Sequence, residues 1–147
     1  MCRGRWLGAL MVRGFNGFLR AAQIFATSQH KRFTRQVWAG YFAPYNNWQN
    51  RIAIHRFVQD IPLEPGHPTR DTLDAIDAKL SCFREHPMLI CWGNDDFCFT
   101  TKHFLPLWQE RFPGAEVHVI PHAGHFVVED AHEQILPRVL EFLEYGA

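Results

Sequence analysis

The chain has 147 residues, 47% hydrophobic and 14% aromatic, with 15 Lys/Arg balanced by 15 Asp/Glu. That length suits one ordinary domain with a real core, and that composition excludes a disordered or low-complexity chain. No apolar run approaches the roughly 18–20 residues a membrane span needs, and Arg13 directly follows the short stretch Trp6 to Val12, a poor secretion signal.

Charge is unevenly spread. Residues 1–60 carry nine Lys/Arg and one acid, Asp60, while the remainder is acidic. The basic residues are scattered among large apolar ones with no nucleic-acid motif, so no nucleic-acid partner is expected. Cys2, Cys82, Cys91 and Cys98 form no C-x-x-C and no zinc-finger spacing with histidine. The nine histidines are dispersed. Neither a metal nor a cofactor is expected, and the thiols suit a reducing, cytoplasmic setting.

Leu7 to Ser28 reads as an amphipathic helix or two, with Leu7, Leu10, Met11, Phe15, Phe18, Leu19, Ala22 and Phe25 recurring at three and four. Gly8, Gly14 and Gly17 weaken it by roughly 1 kcal/mol each against alanine. Such a stripe most often packs a core; its functional meaning would be a lipid-facing or substrate-facing surface. Residues 29–46 read as a connection that closes at Asn46 or Asn47 as a helix N-cap. The next helix runs from Trp48 to Gln59, with Trp48, Ile52, His55 and Phe57 or Val58 turned inward. The prolines of Ile61 to Pro68 exclude helix there. Thr69 caps a helix over Arg70 to Cys82 with Leu73, Ile76 and Leu80 on its apolar side. Asp71, Asp74 and Asp77 form a solvated face.

The stretch Pro87 to Phe126 organises the rest. Met88 to Trp92 is an apolar run stopped by Gly93, which suits a buried parallel strand. Asp95 and Asp96 lie on the turn beyond it. Thr101 to Phe112 reads as a helix, ended by Pro113-Gly114. Ala115 to Ile120 reads as a second strand, and Pro121-His122-Ala123-Gly124-His125 as the turn at its end. Strands joined by a helix should be parallel, so both turns fall at one carboxyl-terminal sheet edge, where open α/β sheets place their chemistry. Glu129 to Tyr145 is the last helix, with Ile135, Leu136, Val139, Leu140, Phe142 and Leu143 inward, a kink expected at Pro137 and a stop at Gly146-Ala147.

An acid on one turn and a histidine on the next make the orienting half of a nucleophile–His–acid triad. The histidine takes a proton, and the carboxylate fixes its tautomer. Asp95 also reads as a turn-capping residue and His122 as a turn residue; His125, directly after Gly124, is the better histidine.

Trp92-Gly93-Asn94-Asp95-Asp96, followed by His125 in Ala-Gly-His-Phe, resembles the last third of an α/β-hydrolase, whose chain order is nucleophile, acid, histidine. In that family the acid lies three residues after the glycine, so the resemblance selects Asp96, with His125, as catalytic. Tyr41-x-x-Pro44-Tyr45 and Arg51 to Leu63 are similar to the cap of haloalkane-dehalogenase-like hydrolases. Val12-Arg13-Gly14-Phe15-Asn16, Arg56 to Leu63 and Leu89-Ile90-Cys91-Trp92-Gly93 resemble the cis-3-alkyl-4-alkyloxetan-2-one (β-lactone) decarboxylases of bacterial olefin synthesis.

The resemblance implies an α/β fold holding the C-terminal part of the hydrolase: a helical cap region over 1–84, then a core segment over 85–147. That segment carries the last two parallel strands and flanking helices, so the sheet is incomplete. The family's Gly-x-nucleophile-x-Gly turn is missing: Ser28, Ser81, the cysteines and every aspartate lack those flanking glycines. Met1 falls roughly where the family's chain enters its cap. The expected function is to supply acid and histidine to a dehalogenase-like hydrolase or β-lactone decarboxylase. The chain alone should be inactive, and the full-length parent should take a small apolar or alkyl-chain substrate. The exposed edge of Met88 to Trp92 should drive self-association or pairing with the missing amino-terminal half. The alternative is a non-catalytic remnant acting as an interaction module.

Overall fold

A computed structural model describes residues 6–29 and 32–145. Cys2 and the helix stop expected at Gly146-Ala147 lie outside them. Contacts divide the chain into two units. One comprises residues up to Gln23 with Thr34–Lys79, the other Ile24–Phe33 with everything from Leu80 onward.

In the first unit, α1 (Leu7–Ala9) runs into a wider turn over Leu10–Gly14 and breaks at Asn16. Asn16 takes φ 52°, a left-handed conformation that Asn tolerates better than most residues. Then α2 (Gly17–Phe25) begins. The break separates two helices, the second of the two arrangements the spacing allowed. The stretch expected to be a connection instead holds α3 (Arg35–Phe42) and a 3-10 turn over Ala43–Tyr45. Thr34 caps α3 by accepting from the Val37 amide at 3.3 Å. Trp38 packs against Tyr41 and Phe42 with ring centroids 5.6 and 6.2 Å away, helical neighbours that offset the poor helix propensity of aromatics.

α4 (Ile52–Asp60) starts four residues later than expected, because Asn46 and Asn47 hold a turn rather than a cap: their side-chain oxygens accept from the Asn50 side chain and amide at 3.0 and 2.9 Å. His55 and Val58 turn inward as expected. Ile54, His55 and Val58 are buried, whereas Trp48, Ile52 and Phe57 face outward, with the Arg13 guanidinium 4.4 Å above the Trp48 ring. Val12, Leu19 and Ile54 form this unit's core, with Phe42 and Tyr45 against it. α5 (Arg70–Asp77) is shorter than expected. Thr69 does not cap it; its hydroxyl donates to Asp60 at 2.6 Å. Leu73 and Ile76 are exposed, and the last expected turn is a 3-10 segment over Leu80–Phe83.

In the second unit, β1 (Leu89–Gly93), α6 (Leu105–Arg111), β2 (Glu116–Ile120) and α7 (Val127–Tyr145) follow in order. The strands are parallel, with Leu89 opposite Glu116 and Gly93 opposite Ile120. Among the described residues the sheet has these two strands, so the fold is the incomplete α/β sheet expected. Ile120, Ala123, Ala131 and Ile135 form the core, with Cys91, Val127 and Val139 packed on it. In α7 the residue with non-helical dihedrals is Ala131 (φ −145°, ψ 31°), while Pro137 sits within the helix. The break expected at Pro137 therefore lies six residues earlier, beside the buried Asp130. Leu136, Leu140 and Leu143 face outward; of the expected inward leucines and isoleucine on this helix, Ile135 alone is buried. Among the described residues no helix is long and apolar enough to cross a membrane.

Candidate active site

The two turns after the strands are laced together by backbone. Asn94 N donates to Ile120 O at 3.0 Å and Asp95 N to Ala123 O at 2.9 Å. Gly93 permits this approach: a Cβ there would lie 2.4 Å from Gly124 O and 2.6 Å from Ala123 O. His122 makes the second turn with φ 58°, and Gln29 Nε2 donates to its carbonyl at 2.9 Å.

Asp96 is held by its own turn. Its Oδ1 accepts from the amides of Cys98 (2.8 Å) and Phe99 (2.9 Å), while Trp92 Nε1 donates to Phe99 O at 2.8 Å. That leaves Oδ2 facing His125, whose Nδ1 lies 3.0 Å away, with Oδ1 at 3.2 Å. The Asp96 side chain is 10% exposed and the His125 ring 33%. A carboxylate against Nδ1 fixes the proton there and leaves Nε2 as the basic nitrogen. The structure thus brings the two sequence-selected residues together. Asp95 is exposed and accepts from Asn94 Nδ2 at 3.3 Å; His122 is exposed in its turn.

Aromatic rings surround the imidazole. Phe97 and Phe99 lie 6.0 and 5.5 Å from His125 between centroids, Phe126 6.1 Å. Phe25 extends the cluster, 6.2 Å from Phe97. Phe25 and Phe97 are 61% and 59% exposed, so the cluster offers an apolar surface beside the histidine. Two thiols are pushed above their ordinary range: Cys91 chiefly by burial, and Cys98 by burial and then the Asp96 charge. Among the described residues, no group of three or more His, Cys, Asp or Glu could hold a metal ion.

Asp130 escaped the sequence reading, which weighed it only as a nucleophile without glycines. It is 2% exposed. Its carboxylate accepts from the Thr27 hydroxyl and from the amides of Gly124 (2.7 Å), Ser28 (2.9 Å) and Gln29 (3.1 Å). Burial alone would raise its pKa; the bonds from Thr27, Gly124, Ser28 and Gln29 outweigh it and hold the carboxyl below the ordinary range. Local sequence shows only an acid in a first helical turn; three of its four partners, Thr27, Ser28 and Gln29, lie about a hundred residues earlier.

The sequence pattern of the alpha/beta hydrolase fold matches residues 9–131. Two proteins named cis-3-alkyl-4-alkyloxetan-2-one decarboxylase are each 41% identical. That of Shewanella oneidensis aligns over 143 residues, 97% of this chain and 44% of its own length; that of Xanthomonas campestris pv. campestris over 138 residues, 94% and 45%. Haloalkane dehalogenase 2 of Mycobacterium bovis is 34% identical over 55 residues, 37% of this chain and 19% of its own. The solved structure of Est816, described as an N-acyl homoserine lactone degrading enzyme, superposes with a TM-score of 0.56 at 22% identity, covering 95% of this chain and 51% of Est816. That likeness is one of fold. The chain spans less than half the length of the decarboxylases it matches, and it belongs to the α/β-hydrolase fold family.

Proposed function

We propose that this chain supplies the acid, Asp96, and the histidine, His125, of a nucleophile–His–Asp triad, as the carboxyl-terminal part of a β-lactone decarboxylase. The observation that carries this reading is the 3.0 Å approach of His125 Nδ1 to Asp96 Oδ2 at one sheet edge. The 41% identity to the two decarboxylases over nearly the whole chain supports the substrate class, as does the apolar ring surface beside the imidazole. In the overall reaction the four-membered lactone loses its carboxyl carbon and both oxygens as carbon dioxide. Its two remaining ring carbons become the alkene, and no water is consumed. No net proton is gained or lost, so any proton that His125 Nε2 accepts during turnover is returned before the alkene leaves, and Asp96 stabilises the imidazolium in between.

A dehalogenase-like reaction is the second reading, favoured by the likeness to haloalkane dehalogenase 2. There a carboxylate nucleophile displaces halide from the alkyl carbon, and His125 deprotonates the water that hydrolyses the resulting ester.

No serine, cysteine or aspartate of this chain stands in Gly-x-nucleophile-x-Gly, so the nucleophile comes from a further segment. That segment adds a strand along the edge of β1 that no strand among the described residues covers. The free thiols of Cys82, Cys91 and Cys98 suit action in the cytoplasm. The experiment compares the 147-residue chain alone with the chain co-expressed with the portion of the Shewanella oneidensis decarboxylase it does not span. Each is supplied with a cis-dialkyl β-lactone, and alkene is followed by gas chromatography. Alkene from the pair and none from the chain alone is the expected result. Alkene from the chain alone contradicts the reading. A correctly associated pair that turns over haloalkanes and not lactones transfers it to the second.

A further inference from the structure

The turn that presents His125 is held from a distance. Asp130 Oδ2 accepts from the amide of Gly124, the residue before His125, at 2.7 Å. The same oxygen accepts from Ser28 N at 2.9 Å, and Oδ1 accepts from Thr27 Oγ1 and from Gln29 N. The segment so captured closes on His125 from the other side: Phe126 N donates to Ala26 O at 2.7 Å. Gln29 Nε2 reaches the His122 carbonyl. Further along, Arg32 Nη1 donates to both carboxylate oxygens of Glu133 and Phe33 stacks on Phe126, with centroids 6.0 Å apart. The backbone on both sides of His125 is therefore tied to residues 26–29, and Asp130 is the group that ties those residues in place.

The fit is tight. A Cβ on Gly124 would lie 3.1 Å from both Ala26 O and Ser28 N and 3.3 Å from Asp130 Oδ2. Four donors converge on one buried carboxylate, both oxygens are used, and a neutral amide could accept from only part of that set. A structural carboxylate whose task was only to start α7 would need the amides of its own first turn. Three of this carboxylate's four donors belong to residues 27–29, and the fourth belongs to Gly124.

We propose that Asp130 is a positioning residue for His125. By clamping Thr27–Ser28–Gln29 to Gly124 it sets the backbone from which the imidazole meets Asp96. The inference rests on the reading of Asp96 and His125 as the triad's acid and base. It adds that the orientation of that pair is enforced from residues about a hundred positions earlier in the chain, through a carboxylate that touches neither substrate nor nucleophile.

The test is proton and nitrogen NMR of the intact 147-residue chain. In the wild type, the Nδ1 proton held between His125 and Asp96 should give a low-field resonance, slow to exchange and absent in His125→Ala. In Asp130→Asn that resonance should disappear or exchange at least tenfold faster, while the amides of β1 and β2 keep their protection. Thr27→Val keeps the carboxylate and removes one of its four bonds. It should speed exchange of the same proton several-fold with the sheet unchanged, and it decides the matter if Asp130→Asn does not fold. A His125 resonance indifferent to Asp130→Asn in a folded chain overturns the proposal, as does one indifferent to Thr27→Val. A wild type with no such resonance overturns the pair itself, and the proposal with it. The failure of the positioning claim and the failure of the triad reading are thus separate outcomes.

Discussion

Gly93 and Gly124 meet backbone to backbone. A side-chain carbon on Gly93 would stand 2.4 Å from the Gly124 carbonyl oxygen, inside any tolerable contact. This contact brings the end of β1 against the turn that precedes His125, and it makes the Asp96–His125 distance a property of backbone packing rather than of side-chain reach.

Gly93→Ala should therefore force the turns apart. The obstructing atoms are main chain, so relief needs backbone movement, and overpacking of this kind costs about 1–3 kcal/mol. Chemical denaturation should show a lower midpoint. The His125–Asp96 proton signal should be lost even where the variant folds. A variant with unchanged midpoint and unchanged signal would show that the approach of the turns is looser than the contact implies.

Acid stability should carry the mark of Asp130. Its folded carboxyl is held below the unperturbed 3.8. As pH falls, the unfolded chain takes up that proton first, so it binds more protons than the folded chain. The contribution is complete above the unfolded pKa, near 4, and is lost as pH falls through the lower folded value. Asp130→Asn should lose stability at neutral pH, on the order of 3 kcal/mol with donors left buried and unpaired, and should show a flatter acid limb below about pH 4. Parallel acid limbs in variant and wild type would contradict this assignment.

The Cys98 thiol should report the charge on Asp96. Burial and then Asp96 push it upward. Asp96→Asn keeps an oxygen for the amides of Cys98 and Phe99 but removes the charge. Alkylation of Cys98 at pH 8, followed by mass spectrometry of the labelled peptide, should be faster in the variant. An unchanged or slower rate would mean that the carboxylate is not ionised beside the thiol.

Much of this was legible in the chain. The apolar run ending in Gly93, the alternation before Ile120 and the helical spacing between them fix two parallel strands with their turns on one edge. That placement puts an acid of the first turn near a histidine of the second, and the resemblance to α/β-hydrolases is what singles out Asp96 rather than Asp95 as the partner of His125. What stayed hidden has two physical causes. A helix start was misjudged where side chains rather than propensity set it, as at Asn46 and Asn47, whose oxygens accept from Asn50 in a turn ahead of α4 at Ile52. Long-range closure has no local signature: nothing in Val127 to Asp130 announces that the carboxylate will bind Thr27, Ser28 and Gln29, or that Ile24–Phe33 will join the sheet unit.

The central claim is that His125 is the base and Asp96 its orienting acid in an enzyme completed by a nucleophile-bearing segment. Its most direct test is steady-state alkene formation from a cis-dialkyl β-lactone by the completed enzyme, comparing wild type with His125→Ala at matched association and folding. The account predicts that kcat falls by on the order of a thousandfold, the scale of a lost general base. A His125→Ala enzyme that keeps kcat within a few-fold of wild type would contradict it.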